Sequence, residues 1–212
     1  MTATKSIGLI GLGHWGKNLL RNLYELGALH SACDTDGDIL AQRQQQYPDV
    51  RFSQTFQHLL DNPEVKAIMS AAPAVKHFDF TRQALEAGKD VFVEKPLALT
   101  VPEGEELVRL AEKNQKILMV GHILQYHPAV NKLKEMIARG DLGKVQYIYS
   151  NRLSIGKLRT EENILWSFAP HDISVLLMLL EEEPVRVSAF GGFYLSQGIF
   201  DTTLTTLEFA NG

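Results

Sequence analysis

The chain is 212 residues long, 45% hydrophobic and 22% charged, with a formal net charge of −4, enough for one large or two small domains with real cores and without the basic surplus that draws nucleic acid or an anionic membrane. Its single cysteine, Cys33, excludes an internal disulfide framework and suits a reducing, cytoplasmic setting. No apolar run approaches the roughly 18 residues of a membrane span, and the opening MTATKSIGLIGLGHWGK reads as no leader.

The first apolar run, Ile7 to Ile10, reads as a strand buried on both faces. It leads into Gly11-Leu12-Gly13-His14-Trp15-Gly16 and then into a helix striped by Leu19, Leu20, Leu23 and Leu26. A strand before and a helix after make this Gly-x-Gly-x-x-Gly loop a dinucleotide-binding signal. The first glycine permits the tight turn, the second lets a pyrophosphate approach the backbone, and the third lets helix pack on strand. The helix N-terminus then offers free N–H groups to the phosphates. His14 and Trp15, inside the loop, are counted with the glycines as cofactor contacts. The next run, Ala28 to Cys33, ends at Asp34, 23 residues after Gly11. A carboxylate there can accept hydrogen bonds from both adenosine ribose hydroxyls and repels a 2′-phosphate, which favours NAD over NADP. Asp36 stands near enough to share that role. The plainer alternative is a glycine turn beside a solvated acidic loop.

Ala67 to Ala71 is the next buried run and leads to Pro73 and His77; Val91 to Val93 leads to Glu94-Lys95-Pro96. Thr100 with Glu103 fits a capping box, followed by Leu107, Leu110 and Ala111 on one helix face. Ile117 to Val120 closes the series. Strand and helix in alternation predict an α/β, doubly wound parallel sheet of Rossmann type over residues 1–122. Strand ends of such a sheet face the ligand crevice, which puts Pro73, His77, Glu94 and Lys95 at the cofactor edge. For His77, a helix cap or packing role stands beside cofactor contact.

Beyond about residue 122 the pattern changes. Pro128 to Ala138 predicts a helix ending near Gly140, and Ile173 to Leu180 a more apolar one. Val145, Tyr147 and Tyr149 alternate with Gln146, Ile148 and Ser150, and Val185, Val187 and Ala189 alternate likewise, the period of a sheet with one face covered. This predicts a second, α+β domain over residues 123–212 with a largely antiparallel open sheet. TTLEFANG reads as a strand entering an Asn-Gly hairpin turn whose return strand is missing. The domain is therefore expected to be truncated, and its open sheet to make the protein a homo-oligomer.

The order of glycine loop, acidic second-strand end and Glu-Lys-Pro after VFV resembles the glucose–fructose oxidoreductase / inositol dehydrogenase family of NAD(P)-dependent oxidoreductases. AAPAVKHFDFTRQALEAGKDVFVEKPLAL carries the likeness most specifically, and ILMVGHILQYHPAV and LGKVQYIYSNR are also similar to family segments. The resemblance implies that Lys95 sits between nicotinamide and substrate and steadies the charge on the reacting oxygen. It implies a cis Lys95–Pro96 bond, Glu94 bordering the nicotinamide, and the Pro73–His77 segment running along the cofactor. It places a histidine on a helix of the second domain, matched by His171 in ENILWSFAPHDISVLL, for proton transfer. The family's aspartate four residues earlier is Ser167 here, which can bond a hydroxyl but cannot act as a carboxylate base. Asp172 stands next to His171, to orient the ring or bind substrate. Gln125 and Tyr126 fall where relatives contact cofactor and substrate. Arg152 and Trp166, with Ser167 and Asp172, complete an expected substrate wall: an aromatic plate suits a sugar, and an arginine suits an anionic sugar or a nucleotide diphosphate. Lys157 and Arg159 read equally well as a solvated basic loop.

The function implied is NAD-dependent hydride transfer to or from a secondary alcohol of a cyclic sugar or sugar nucleotide, such as a UDP-amino sugar or uronic acid at C3, with no metal. Its rivals are a non-catalytic dinucleotide-binding module or inactive truncated homologue, for which Ser167 speaks, and another nucleotide-binding α/β enzyme such as a methyltransferase, against which the third glycine and Glu94-Lys95-Pro96 speak.

Overall fold

In the computed structural model, which describes residues 5–153 and 163–210, the chain forms two units divided between Gly121 and His122. The first is built from β1 (Ile7–Ile10), α1 (Gly16–Glu25), β2 (Leu29–Cys33), α2 (Gly37–Gln46), β3 (Arg51–Ser53), α3 (Gln57–Leu60), β4 (Ala67–Ser70), α4 (His77–Glu86), β5 (Asp90–Val93), α5 (Val101–Lys113) and β6 (Leu118–Val120). All strand pairs are parallel, in the order β3-β2-β1-β4-β5-β6. Strand order reverses between β1 and β4, and that switch point is where sheets of this kind bind dinucleotides.

The central strands are mostly apolar because both faces of the sheet are covered there, although β2 carries His30 and Ser31. Successive side chains of a strand point to opposite faces, so Leu9 and Ala32 enter the core layer with Leu20 and Leu29, while Ile10 and Cys33 enter the other layer with Ile68, Leu85 and Leu107. Burial pushes the Cys33 thiol up to about 12, with Asp34 adding to the shift, so it packs as an inert apolar group. β3 is the one strand the apolar runs do not announce: it has a single apolar residue, Phe52, on an edge that leaves Arg51 in solvent. The α5 capping box forms in both directions, Glu103 N–H to Thr100 Oγ1 at 3.4 Å and Thr100 N–H to Glu103 Oε2 at 3.1 Å. A buried ammonium, Lys89, donates to the carbonyls of Asn62 and Val65. These bonds compensate a charge taken out of water, while burial and the neighbouring Lys66 and Lys116 hold its pKa below the ordinary value.

The second unit contains a 3-10 turn at Ile123–Tyr126, α6 (Pro128–Ala138), α7 (Ile164–Leu180) and an antiparallel pair, β7 (Arg186–Gly192) with β8 (Thr202–Glu208). Three expectations are corrected. α7 starts at Ile164 instead of Ile173 and runs through Pro170. A proline normally ends or kinks a helix because it lacks an N–H; here Asn163 caps the start by accepting the Trp166 N–H at 3.0 Å. Val145–Ser150 forms no strand among the described residues. Its alternation is real, but a strand also needs a partner for its backbone groups, and the segment is tied instead through side chains to α7. Finally, β7 is exposed on both faces, not one, and only β8 alternates. Lys157, Arg159 and the Asn211-Gly212 turn lie outside the described residues.

Candidate active site

The glycine loop leaves β1 and presses on the loop that leaves β4. Gly11 has φ +86°, and a Cβ there would stand 2.7 Å from the Ala71 carbonyl carbon. A Cβ on Gly16 would stand 1.9 Å from the Gly11 carbonyl oxygen. Both positions therefore require glycine to close the turn. Gly13 differs: an added Cβ would meet nothing within 4 Å, which leaves the open backbone surface a pyrophosphate needs. His14 and Trp15 lie exposed beside it.

Asp34, at the end of β2, is fixed by two backbone donors. Leu12 N–H reaches Oδ2 at 2.6 Å and Asp36 N–H reaches Oδ1 at 3.0 Å. A carboxylate has about four acceptor positions, so two remain for ribose hydroxyls. Asp36 Oδ1 caps α2, accepting from Asp38 and Ile39 N–H. The open Gly13 and the anchored Asp34 fit a dinucleotide laid across the switch point.

At the end of β5, Glu94 and Lys95 are part-buried, and the Lys95–Pro96 bond is cis. Trp15 Nε1–H donates to Glu94 Oε1 at 2.7 Å. Because β4 separates β1 from β5, this bond strides over the end of β4 at the switch point. Burial pushes the Glu94 carboxyl above the usual carboxylate range, against the pull of the Trp15 bond and of Lys95. Gly121, just past β6, makes room for it: a Cβ there would come within 3.1 Å of the Glu94 carboxyl and 3.0 Å of the Phe92 ring. The sequence reading missed Gly121, although a glycine abutting an apolar strand is a signal of close approach.

Pro73 is exposed at the start of a 3-10 turn, Ala74–Lys76. His77 is not placed as a cofactor contact: it is 1% exposed, and both ring nitrogens lie against backbone carbonyls.

In the second unit the expected substrate residues divide between different faces of α7. Ser167, His171 and Ser174 follow one another at helical spacing on one face, with Ser167 and Ser174 buried. Gln125 Nε2 contacts the Ser174 carbonyl at 3.4 Å, and Tyr126 is exposed. Asp172 lies about 100° further round and is engaged elsewhere, accepting from Ser150 Oγ at 2.8 Å and Arg152 Nε at 2.6 Å. It therefore does not orient the His171 ring. Arg152 also stands over the Phe168 ring, 5.8 Å from its centroid. Arg152, Phe168 and Asp172 line a largely apolar groove of about 1300 Å³ between residues 144–153, α7 and β8. Trp166 is part-exposed outside it. Burial pushes the His122 imidazole, missed by the sequence reading, below its ordinary range. Among the described residues no cluster of histidine, cysteine or acidic side chains could hold a metal, and no helix is long and apolar enough to cross a membrane.

Residues 5–122 match the model of an oxidoreductase family described as having an NAD-binding Rossmann fold, the GFO/IDH/MocA family, and residues 130–212 match that family's C-terminal domain. The chain belongs to the GFO/IDH/MocA oxidoreductase family. Its first unit is the family's NAD-binding Rossmann domain. Among similar members, a UDP-N-acetylglucosamine 3-dehydrogenase of Acidithiobacillus ferrooxidans is 28% identical over 87% of this chain and 57% of its own length. A myo-inositol 2-dehydrogenase of Thermotoga maritima is 24% identical over 97% of this chain and 65% of its own. The crystal structure of GenD2 from gentamicin A biosynthesis, in complex with NAD, superposes with a TM-score of 0.89 at 21% identity, over 100% of this chain and 64% of that one, and shows the common fold. The chain thus spans about three-fifths of the length of these relatives.

Proposed function

We propose that this GFO/IDH/MocA member serves hydride transfer between nicotinamide and a secondary alcohol of a cyclic sugar or sugar nucleotide. The observation that carries the reading is Lys95 at the end of β5, close to a switch point furnished with an open Gly13 and an anchored Asp34. Bound NAD supplies the hydride acceptor. The residues of the chain supply the rest. Asp34 takes the adenosine ribose, the glycine loop and the α1 N-terminus take the phosphates, and Lys95 holds negative charge on the reacting oxygen. His171 is assigned the proton, Pro73 and Gln125 further cofactor contacts, and Tyr126, Arg152, Trp166, Ser167 and Asp172 the substrate. The likeness to a UDP-N-acetylglucosamine 3-dehydrogenase supports a UDP-amino sugar or uronic acid oxidised at C3, and the exposed β7–β8 sheet supports a homo-oligomer. The finding that Asp172 is held by Ser150 and Arg152 while Ser167 replaces an acid favours a second reading, a member that binds NAD without turning over a sugar.

The test is a fluorescence titration with NADH and with NADPH, followed by incubation with NAD and UDP-N-acetylglucosamine, its uronic acid or myo-inositol while NADH formation is monitored. NADH is expected to bind more tightly than NADPH by about tenfold, or ~1.4 kcal/mol, and one of the sugars to yield NADH. Binding without NADH formation on any of them supports the second reading; no binding of either dinucleotide refutes both.

A further inference from the structure

His77 opens α4 with its ring almost wholly buried. Nδ1 lies 2.6 Å from the carbonyl oxygen of Pro96, and Nε2 lies 2.9 Å from that of Ala72. A carbonyl only accepts, so each contact is a hydrogen bond where the ring nitrogen carries a hydrogen; a neutral imidazole carries one and an imidazolium two. A buried polar ring in a place that needed only filling would cost stability, so the bonds are the reason for its residue type.

The two carbonyls belong to loops that carry chemistry. Pro96 directly follows Lys95. Ala72 directly precedes Pro73 and lies against the glycine loop, where a Cβ on Gly11 would stand 2.8 Å from the Ala72 nitrogen. One ring therefore spans from the loop after β5 to the loop after β4, and through it to the loop after β1.

We propose that His77 is the positioning residue for Lys95: its Nδ1–H bond to the Pro96 carbonyl fixes where the Lys95 ammonium stands relative to the glycine loop, while His77 touches neither cofactor nor substrate. The role rests on the reading of Lys95 as the group beside the reacting oxygen. Misplacement of a reacting group by about 1 Å can cost on the order of a hundredfold in rate, so a tie acting on the backbone next to Lys95 is enough to matter.

Two near-isosteres separate the two ends of the tie. Asparagine puts its amide nitrogen near the place of Nδ1, and glutamine near that of Nε2. The wild-type chain, His77→Asn and His77→Gln are acetylated with acetic anhydride, with and without NADH, and each lysine is read by peptide mass spectrometry. NADH is expected to protect Lys95 in wild type and His77→Asn. In His77→Gln that protection falls on the order of tenfold while NADH affinity stays within about threefold. With a sugar that wild type oxidises, kcat falls in His77→Gln while KM for NAD holds, and His77→Asn recovers most of it. Equal Lys95 protection in all three proteins overturns the proposal. So does loss of NADH affinity together with protection, which would make His77 a cofactor contact, and so does failure of both variants to fold, which would make it structural. Acetylation needs no turnover, so absence of sugar oxidation by wild type defeats the proposed function alone. If NADH does not bind, the same comparison is read on the free protein, where the Lys95 rate relative to Lys17 shifts in His77→Gln only; no shift overturns the tie.

Discussion

At Glu94 two influences oppose each other, and burial wins over the Trp15 bond, leaving the carboxyl raised. A raised carboxyl means that the folded state disfavours the ionised form. The cost is absent below the unfolded value of about 4.3, grows as pH rises from there toward the folded value, and is complete above it. Glu94→Gln, which keeps an acceptor for Trp15, is therefore expected to raise the melting temperature near neutral pH, with the gain vanishing toward about pH 4. A gain that persisted in acid would point to some other cause. Lys95→Ala is expected to lower turnover by about a hundredfold or more while NADH affinity changes little; steady-state kinetics beside a binding titration check it, and unchanged turnover removes Lys95 from the mechanism. Residues at this scale are legible in the sequence where the backbone dictates the type at a fixed spacing, as with Gly11 and Gly16, which leave no room for a Cβ. The tie from His77 to Pro96, the room Gly121 gives Glu94 and the capture of Asp172 by Arg152 join residues far apart in the chain, and no local pattern records them.

Elements divide in the same way. The runs around β1, β4, β5 and β6 are legible because they are almost unbroken in apolar residues, and β2 is legible from Leu29, Ala32 and Cys33 although His30 and Ser31 interrupt it. β3 is hidden because three residues on an edge carry too little pattern. α7 is misread because Pro170 looks like a start, whereas the cap that sets the start, Asn163, is seven residues earlier. The α5 start was readable from Thr100 and Glu103, since a capping box lies within four residues. Thr100→Ala breaks one half of that box and is expected to destabilise the first unit by about 1 kcal/mol, measured as a drop in the urea midpoint with unchanged slope. No drop would mean that packing of Leu107 and Ala111 alone fixes where α5 begins.

For the molecule as a whole, the two units differ in how completely their apolar surface is covered. The first buries both sides of its sheet. The second leaves Phe190 73% and Leu204 65% exposed on β7 and β8, and Tyr147, ahead of α7 in the chain, 85% exposed. Apolar surface on that scale marks a contact surface. The 212-residue chain is expected to self-associate with rising concentration in sedimentation velocity, and a monodisperse monomer at every concentration would count against a partner for this sheet.

Gly13 carries a consequence of another kind. Gly11 and Gly16 are filled in by their own neighbours, so replacing either disturbs the fold and the site together. A methyl group at Gly13 meets only empty space, so Gly13→Ala should melt with the wild type yet lose most of its NADH affinity in a fluorescence titration. In a genetic setting that is a separation-of-function allele: a protein present at normal abundance, with the proposed cofactor binding alone switched off.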